Sequence, residues 1–150
     1  MKIIKGDIIK MALKGDFDVI IHGCNCFNTM GAGIAKQIKI NFPEAYKADQ
    51  ETKKGDKTKL GSYTASTIAR NGTIFVVVNA YTQYYYGTGN DISYISLISV
   101  MDKIAKYYHG LRIAYPKIGC GLAGGNWELV SRIINNALQD QNHTYVEYGG

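Results

Sequence analysis

The sequence predicts a single α/β domain in which helices cover both faces of a sheet. Short apolar, β-branched runs alternate with segments of helical periodicity along all 150 residues. No internal repeat, linker or low-complexity tract interrupts this alternation, and a chain of this length fits one compact core. Two glycine-rich segments each follow a predicted strand and precede a predicted helix. The pattern therefore indicates a layered sheet with loops suited to ligand binding at one edge.

The strands are predicted from apolar runs that end at turn-forming residues. The run at residues 17–22 is rich in β-branched side chains and ends at Gly23, which is typical of a buried strand. The continuous apolar run at residues 74–78 indicates a strand covered on both faces. The predicted strands are residues 2–5, 17–22, 62–70, 73–80, 111–115 and 145–148.

Three helices are predicted from apolar residues that recur on one helical face. Ile34, Ile38 and Phe42 are four residues apart, and Pro43 ends that helix. The longest helical pattern covers residues 92–108, and a further apolar stripe covers residues 127–138.

The overall composition predicts an ordinary globular protein of the cytoplasm without a metal. Hydrophobic residues make up 46% of the chain and charged residues 19%, which excludes a disordered class. No apolar run approaches the roughly 20 residues that span a bilayer, and the first residues lack a signal-peptide pattern. Cys24, Cys26 and Cys120 are an odd set that agrees with a reducing compartment. Their spacing is poor for zinc, so we expect neither a metal nor another cofactor.

The net charge of +5 favours anionic partners, although a basic solvated surface explains most of it. Lys53, Lys54, Lys57 and Lys59 lie in one polar stretch, which predicts an exposed loop. The other basic residues are scattered, and no nucleic-acid-binding motif accompanies them. The sequence thus favours neither nucleic acid nor a membrane as partner.

The two glycine-rich loops, residues 23–35 and 118–127, carry the chemical signal. A strand, a glycine loop and a helix in succession bring backbone N–H groups and a positive helix end towards a phosphate. Neither loop has the Gly-Lys-Ser/Thr ending of a P-loop or the full dinucleotide fingerprint. Spacing alone predicts a phosphate-bearing small molecule.

Three segments together resemble macro domains, and the resemblance covers essentially the whole chain. They are residues 6–8, residues 22–26 with 30–35, and residues 116–122. The branch that they resemble contains ADP-ribose-1″-phosphate phosphatases and ADP-ribosyl-glutamate hydrolases. The resemblance implies a three-layer α/β/α fold with a mixed, mostly parallel central sheet. It also implies ADP-ribose as the ligand.

The resemblance implies binding roles at matching positions. Asp7 would accept a hydrogen bond from the adenine amino group beside the Ile8 backbone, or it is a helix-cap aspartate. Asn25 would hold the distal ribose. Tyr148 would stack on adenine, or it is a core or rim tyrosine. Residues expected to line the phosphates and ribose are Gly31, Ala32, Gly33 and Ile34 on one side, and Ile118, Gly119, Cys120, Gly121, Leu122 and Ala123 on the other.

Catalysis is expected from a histidine and a carboxylate. His22 resembles the histidine proposed as catalytic in the phosphatase branch, and it could act as general base or acid. Its alternative is a hydrogen-bonded core histidine. Asp91 is the one acid between residues 79 and 91, and its alternative is the N-cap of the long helix. Tyr81 and residues 84–86 form an aromatic group that either walls the distal ribose or is a loop surface.

Departures from the family help to choose between the activities. The similar hydrolases use a lysine in the middle loop and an aspartate after Gly-Cys-Gly-Leu. This chain has no lysine between Asn79 and Asp91, and Ala123 occupies the place of the aspartate. We therefore expect hydrolysis of ADP-ribose-1″-phosphate before a non-catalytic reader of ADP-ribose or of ADP-ribosylated protein. A de-ADP-ribosylating hydrolase comes last.

Overall fold

The computed structural model describes residues 1–149, and it confirms the three-layer α/β/α fold. Six strands form one mixed, mostly parallel sheet in the order β1-β6-β5-β2-β4-β3, and only β3 runs antiparallel to its neighbour. The strands are β1 (Lys2–Gly6), β2 (Val19–Cys24), β3 (Tyr63–Arg70), β4 (Thr73–Tyr81), β5 (Ile113–Tyr115) and β6 (His143–Tyr148). The helices are α1 (Ile8–Leu13), α2 (Gly33–Asn41), α3 (Pro43–Gln50), α4 (Tyr94–Tyr107) and α5 (Trp127–Ala137).

The helices divide between the two faces of the sheet because successive strand residues point to opposite faces. Ile20 of β2 packs with α1, α2 and α3, where Ile38 and Phe42 are buried. Val19 and Ile21 of the same strand pack with α4 and α5. One strand thus contributes to both cores, as the continuous apolar run predicts.

Two helices were not predicted. Helix α1 has six residues, too few for a periodic stripe, and it begins after the N-cap Asp7. Pro43 does end α2, but it also occupies the first turn of α3. Proline is tolerated there because the first helical N–H groups have no intrahelical partner.

Lys59 corrects the prediction that residues 53–59 are an exposed loop. Its side chain is buried at the end of a single 3-10 turn, Lys57–Lys59. The ammonium donates to Asn28 Oδ1 at 2.8 Å and to Thr52 Oγ1 at 2.9 Å. It lies 5.4 Å from the ring centre of Tyr81. Burial is possible because these partners replace part of the lost hydration.

Within residues 1–149, no helix is long and apolar enough to cross a membrane. The five parallel strands all end at the same edge of the sheet, at Gly6, Cys24, Tyr81, Tyr115 and Tyr148. The loops that follow them gather there, which is where open α/β sheets bind their ligands.

Candidate functional site

Gly23, near the end of the central strand β2, lets three loops approach one another. A Cβ at this position would lie 2.8 Å from Thr82 Oγ1, which follows β4. It would also lie 3.3 Å from Ile118 Cγ2, which follows β5. Any larger residue would separate these segments, so glycine is required by close approach rather than by a turn.

Asn25 stabilises the first loop through hydrogen bonds of both polar groups of its side chain. Its carbonyl oxygen accepts from the Phe27 N–H at 2.8 Å. Its Nδ2 donates to the carbonyl of Thr29 at 3.1 Å and to Thr29 Oγ1 at 2.7 Å. A ribose hydroxyl that bonds to this amide must therefore replace or share one of these bonds.

The first loop leads directly into the N-terminus of α2. The N-cap residue, Ala32, has an extended backbone and makes no side-chain capping bond. Gly31, Ala32 and Gly33 are exposed, and Gly33 has a φ of +56°, while Ile34 is half-buried. The first N–H groups of α2 are thus free of a side-chain cap, an arrangement suited to an anion.

The second glycine loop, which in the structure spans residues 116–126 between β5 and α5, packs tightly against the middle loop, residues 82–93. Gly124 has a φ of +74°, and a Cβ there would lie 1.8 Å from the carbonyl oxygen of Gly89. The carbonyl of Ala123 accepts from the Asp91 N–H at 2.9 Å and the Ile92 N–H at 3.3 Å. The two loops therefore form one unit held by backbone contacts.

The residues expected to line the second loop divide by burial. Gly121 and Leu122 are exposed, Gly119 and Cys120 are half-buried, and Ile118 and Ala123 are buried. Ile118 packs in the core beneath the loop. Burial raises the pKa of the Cys120 thiol, which keeps it protonated at neutral pH.

Asp91 closes a turn of the middle loop rather than capping α4. Its Oδ1 accepts from Thr88 Oγ1 at 2.5 Å, and its Oδ2 accepts from the Thr88 N–H at 3.1 Å. The N-cap of α4 is Ser93, whose hydroxyl accepts from the Ser96 N–H at 3.2 Å. Asp91 lies half-exposed against the second glycine loop.

His22 is enclosed by the protein, and its catalytic role stays a prediction. Its side chain is fully buried, and Nε2 lies 2.6 Å from Asn79 Oδ1. Burial lowers the pKa of His22 to about 4, although the Asn79 bond acts in the opposite direction. This arrangement matches the alternative of a hydrogen-bonded core histidine that is neutral at pH 7.

Asp7 and Tyr148 lie beside each other at the β1–β6 edge. Oδ1 of Asp7 caps α1, accepting from the Ile9 N–H at 3.0 Å and the Lys10 N–H at 3.3 Å. Tyr148 is paired in register with Gly6 and is 77% exposed. Strand alternation from the buried Val146 directs the Tyr148 ring to the α1 face.

The family model for the macro domain matches residues 21–134 of the chain. The chain belongs to the macro domain family. An uncharacterised 17.5 kDa protein of Enterobacteria phage T4 is 36% identical over 140 residues, which is 90% of this chain and 88% of that protein. An ADP-ribose 1″-phosphate phosphatase of Debaryomyces hansenii is 27% identical over 176 residues, 97% of this chain and 98% of that protein.

Another relative is considerably longer than this macro domain. A DNA ADP-ribosyl glycohydrolase of Mycobacterium tuberculosis is 27% identical over 130 residues, which cover 85% of this chain and 36% of that protein. Among solved structures, a Bacteroides thetaiotaomicron protein of unknown function has a TM-score of 0.77 at 25% identity, with 97% and 96% of the two chains covered. Thermosipho africanus DarTG in complex with ADP-ribose has a TM-score of 0.77 at 20% identity, with 97% and 40% covered.

The macro domain also contains a buried polar cluster that the sequence did not reveal. Asn79 Nδ2 donates to the carbonyl of Ala45 at 2.9 Å and to Thr64 Oγ1 at 3.0 Å. The Tyr81 hydroxyl donates to Asp49 Oδ1 at 2.8 Å, and burial raises the pKa of both side chains. These residues come from α3, β3 and β4, so only the pairing of elements brings them together.

Beside this cluster, aromatic side chains pack between the first and middle loops. Phe27 makes edge contacts with Tyr84 and Tyr85 at ring-centre distances of 4.9 and 5.0 Å. The Tyr84 hydroxyl donates to the carbonyl of Gly55 at 2.9 Å. Phe27 is the member of this group that the sequence pattern missed. Within residues 1–149, no group of three or more His, Cys, Asp or Glu side chains is placed to hold a metal ion.

Proposed function

We propose that this macro domain binds ADP-ribose at the carboxyl edge of its sheet. One observation carries the proposal: the β2, β4 and β5 loops meet at Gly23, and the first of these loops leads into an α2 N-terminus that lacks a side-chain cap. Backbone N–H groups at such a junction suit a pyrophosphate. The relatives named for ADP-ribose chemistry support the same ligand.

The proposed ligand would run along the carboxyl edge of the sheet, from the β1 side to the β4 side. Asp7 and Tyr148 lie at the β1–β6 side, where they would take the adenine. Asn25 lies at the β2–β4 side, where it would take the distal ribose. Four strand spacings separate β1 from β4, or about 19 Å, which leaves the pyrophosphate between the two glycine loops.

For the reaction, we propose hydrolysis of ADP-ribose-1″-phosphate. Water attacks phosphorus, the bond between phosphorus and the ribose oxygen breaks, and inorganic phosphate and ADP-ribose leave. Positioning and charge stabilisation supply most of the catalysis in phosphoryl transfer, so backbone N–H groups carry the main role. Asp91 is our candidate for proton transfer, since it lies where the middle loop contacts the second glycine loop.

Two measurements on the whole chain test this proposal. Calorimetry with ADP-ribose tests binding, and phosphate release from ADP-ribose-1″-phosphate with and without EDTA tests the reaction. We expect saturable binding and EDTA-insensitive turnover. Asp91→Asn should slow turnover at least tenfold with little change in ADP-ribose affinity, whereas the exposed Asp102→Asn on α4 should change neither. Failure to bind ADP-ribose would reject the whole proposal.

A variant of Asp7 separates ligand binding from helix capping. Asparagine is as good an N-cap as aspartate, so Asp7→Asn should keep α1 folded. It replaces a carboxylate acceptor by an amide, and we expect ADP-ribose affinity to fall about fivefold. Unchanged affinity would remove Asp7 from the adenine site.

Binding without turnover would leave the alternative of an ADP-ribose reader. A second catalytic candidate is removal of ADP-ribose from a modified macromolecule, favoured by the relative named as a DNA ADP-ribosyl glycohydrolase. Against it, Gln83 and its neighbours supply no lysine in the middle loop, and Ala123 stands in the place of the aspartate. Release of ADP-ribose from ADP-ribosylated DNA or protein, measured with the same preparation, distinguishes these outcomes.

A further inference from the structure

Two tyrosines of the middle loop present open rings to solvent. Tyr85 is 49% exposed and Tyr86 is 42% exposed, and their ring centres are 4.7 Å apart at a 36° tilt. Phe27 supports both from beneath, at 5.0 Å from Tyr85 and 6.5 Å from Tyr86. The rings are therefore held in place by packing while part of each remains accessible.

A basic segment lies beside Phe27 and Tyr84, the neighbours of these rings. A Cβ on Gly55 would lie 3.2 Å from the Phe27 ring, so the backbone at Gly55 lies against that ring. Lys57 Nζ lies 4.9 Å from the ring centre of Tyr84. Lys53, Lys54 and Lys57 are exposed.

The charge of this surface is positive. Residues 51–59 contain four lysines and two acids, and residues 24–30 and 82–90 contain no charged side chain. Asp56, one of the two acids, accepts from the N–H and the hydroxyl of Thr58 at 2.9 and 2.7 Å. We call Tyr85, Tyr86, Lys53, Lys54 and Lys57 the aromatic–lysine surface.

Partly exposed aromatic rings near exposed lysines fit one kind of partner better than others. Nucleic-acid bases stack on such rings, and the phosphates between them pair with lysines. An acidic protein segment would use the lysines but would gain little from two accessible rings. The sequence disperses these residues over two loops, and the fold brings them together.

We propose that the aromatic–lysine surface binds single-stranded nucleic acid, with bases stacked on Tyr85 and Tyr86 and phosphates contacting Lys54 and Lys57. The surface adjoins the first loop, since Phe27 follows Asn25 by two residues. It does not include the Asp7 and Tyr148 end of the proposed ADP-ribose site. The inference therefore goes beyond ADP-ribose binding and does not depend on it.

Fluorescence anisotropy with a labelled oligothymidylate of about twelve nucleotides, at low salt, tests the proposal on the full chain. We expect saturable binding that weakens with added salt. Tyr85→Leu and Tyr86→Leu should each weaken it about fivefold or more, because each stacked base contributes on the order of 1 kcal/mol or more. Tyr85→Phe should keep most of the affinity, since the ring remains. Lys57→Gln should reduce the slope of log affinity against log salt by about 0.7.

Matched controls lie at the opposite end of α4. Tyr107 is 74% exposed there, and Lys106 precedes it. Tyr107→Leu and Lys106→Gln should leave oligonucleotide binding unchanged. Equal losses in the control and test variants would overturn the proposal, as would the absence of binding at low salt. Polyglutamate should be a poor competitor of the oligonucleotide. If it competes equally well, and Tyr85→Leu does not change its binding, the surface binds acidic protein and the proposal is overturned.

ADP-ribose titrations of the same variants keep the two proposals apart. If the unmodified chain binds ADP-ribose but not the oligonucleotide, the nucleic-acid surface alone is rejected. The reverse result rejects the proposed function alone. Circular dichroism melts of each variant establish that it is folded before either result is interpreted.

Discussion

Lowering the pH from 7 to 5 protonates the histidines of the unfolded chain, whereas His22 stays neutral in the folded protein. Burial lowers the pKa of His22 to about 4, compared with an ordinary value of 6.5. Its neighbours do not offer a counter-charge: Nε2 faces the amide oxygen of Asn79, and the Cys24 Sγ lies 3.6 and 3.8 Å from the two ring nitrogens. Burial also raises the pKa of the Cys24 thiol, so it stays uncharged.

The sign and size of the effect follow from proton linkage. Because the unfolded chain binds the proton more tightly, the free energy of unfolding falls as the pH falls below 6.5. The interval between 6.5 and about 4 corresponds to about 3.4 kcal/mol when the pH is below both values. Between pH 7 and pH 5, the part expressed is about 2 kcal/mol.

Urea unfolding at pH 7 and pH 5 measures this contribution when the wild type is compared with two variants. His22→Gln removes the buried imidazole, and His109→Gln removes an exposed one. His22→Gln will be less stable at pH 7, so the informative quantity is the stability lost between the two pH values. The carboxylates and His143 are common to all three proteins, and their contributions cancel in the comparison.

We expect the wild type and His109→Gln to lose about 2 kcal/mol more than His22→Gln between pH 7 and pH 5. An equal loss in all three proteins would refute the reasoning. It would mean that His22 titrates normally in the folded state and reaches solvent. Such a result would support the predicted role of His22 as an acid or base in catalysis.

Three further variants test separate contacts. Gly124→Ala should cost about 2 kcal/mol or more in urea unfolding, because it adds a Cβ at positive φ against the middle-loop backbone, and a smaller cost would show that the loop yields. Lys59→Met should lower the free energy of unfolding by about 1–3 kcal/mol, because it leaves buried acceptors without a donor. The exposed Lys57→Met should change it by no more than about 0.5 kcal/mol. Equal losses in the two variants would contradict the buried role of Lys59. The bond from Arg70 lowers the pKa of Glu44 to about 2, yet both side chains are about one-third exposed, so a double-mutant cycle at pH 7 should give a coupling of about 1 kcal/mol or less.

Most of the fold could be predicted because its elements carry their own periodicity. The run at residues 17–22 and the stripe at residues 127–138 correspond to β2 and α5 within one or two residues. Each pattern is visible in the sequence because the buried positions of the strand or helix are apolar. Helix α1 was not predicted, because a six-residue segment completes fewer than two turns and is too short to show hydrophobic periodicity.

The candidate site was harder to predict because several of its residues depend on distant partners. The glycines at positions 119 and 124 could be assigned to a loop from sequence alone, since they cluster before a helix. The state of His22 could not, because its partner Asn79 is 57 residues away and only the pairing of β2 with β4 joins them. Lys59 is similar: nothing in a polar segment indicates that one of its lysines is buried.

For Asp7 and Asn25, the observed structural role is compatible with the proposed ligand role. The capping bonds of Asp7 both use Oδ1, and among residues 1–149 no hydrogen bond reaches Oδ2. The bonds of Asn25 to Thr29 and Phe27 hold the first loop in one conformation before any ligand arrives. A ligand that finds these side chains already fixed loses less conformational entropy on binding. The N-cap geometry of Asp7 is therefore compatible with the proposed adenine contact, and it would hold the carboxylate in place for that contact.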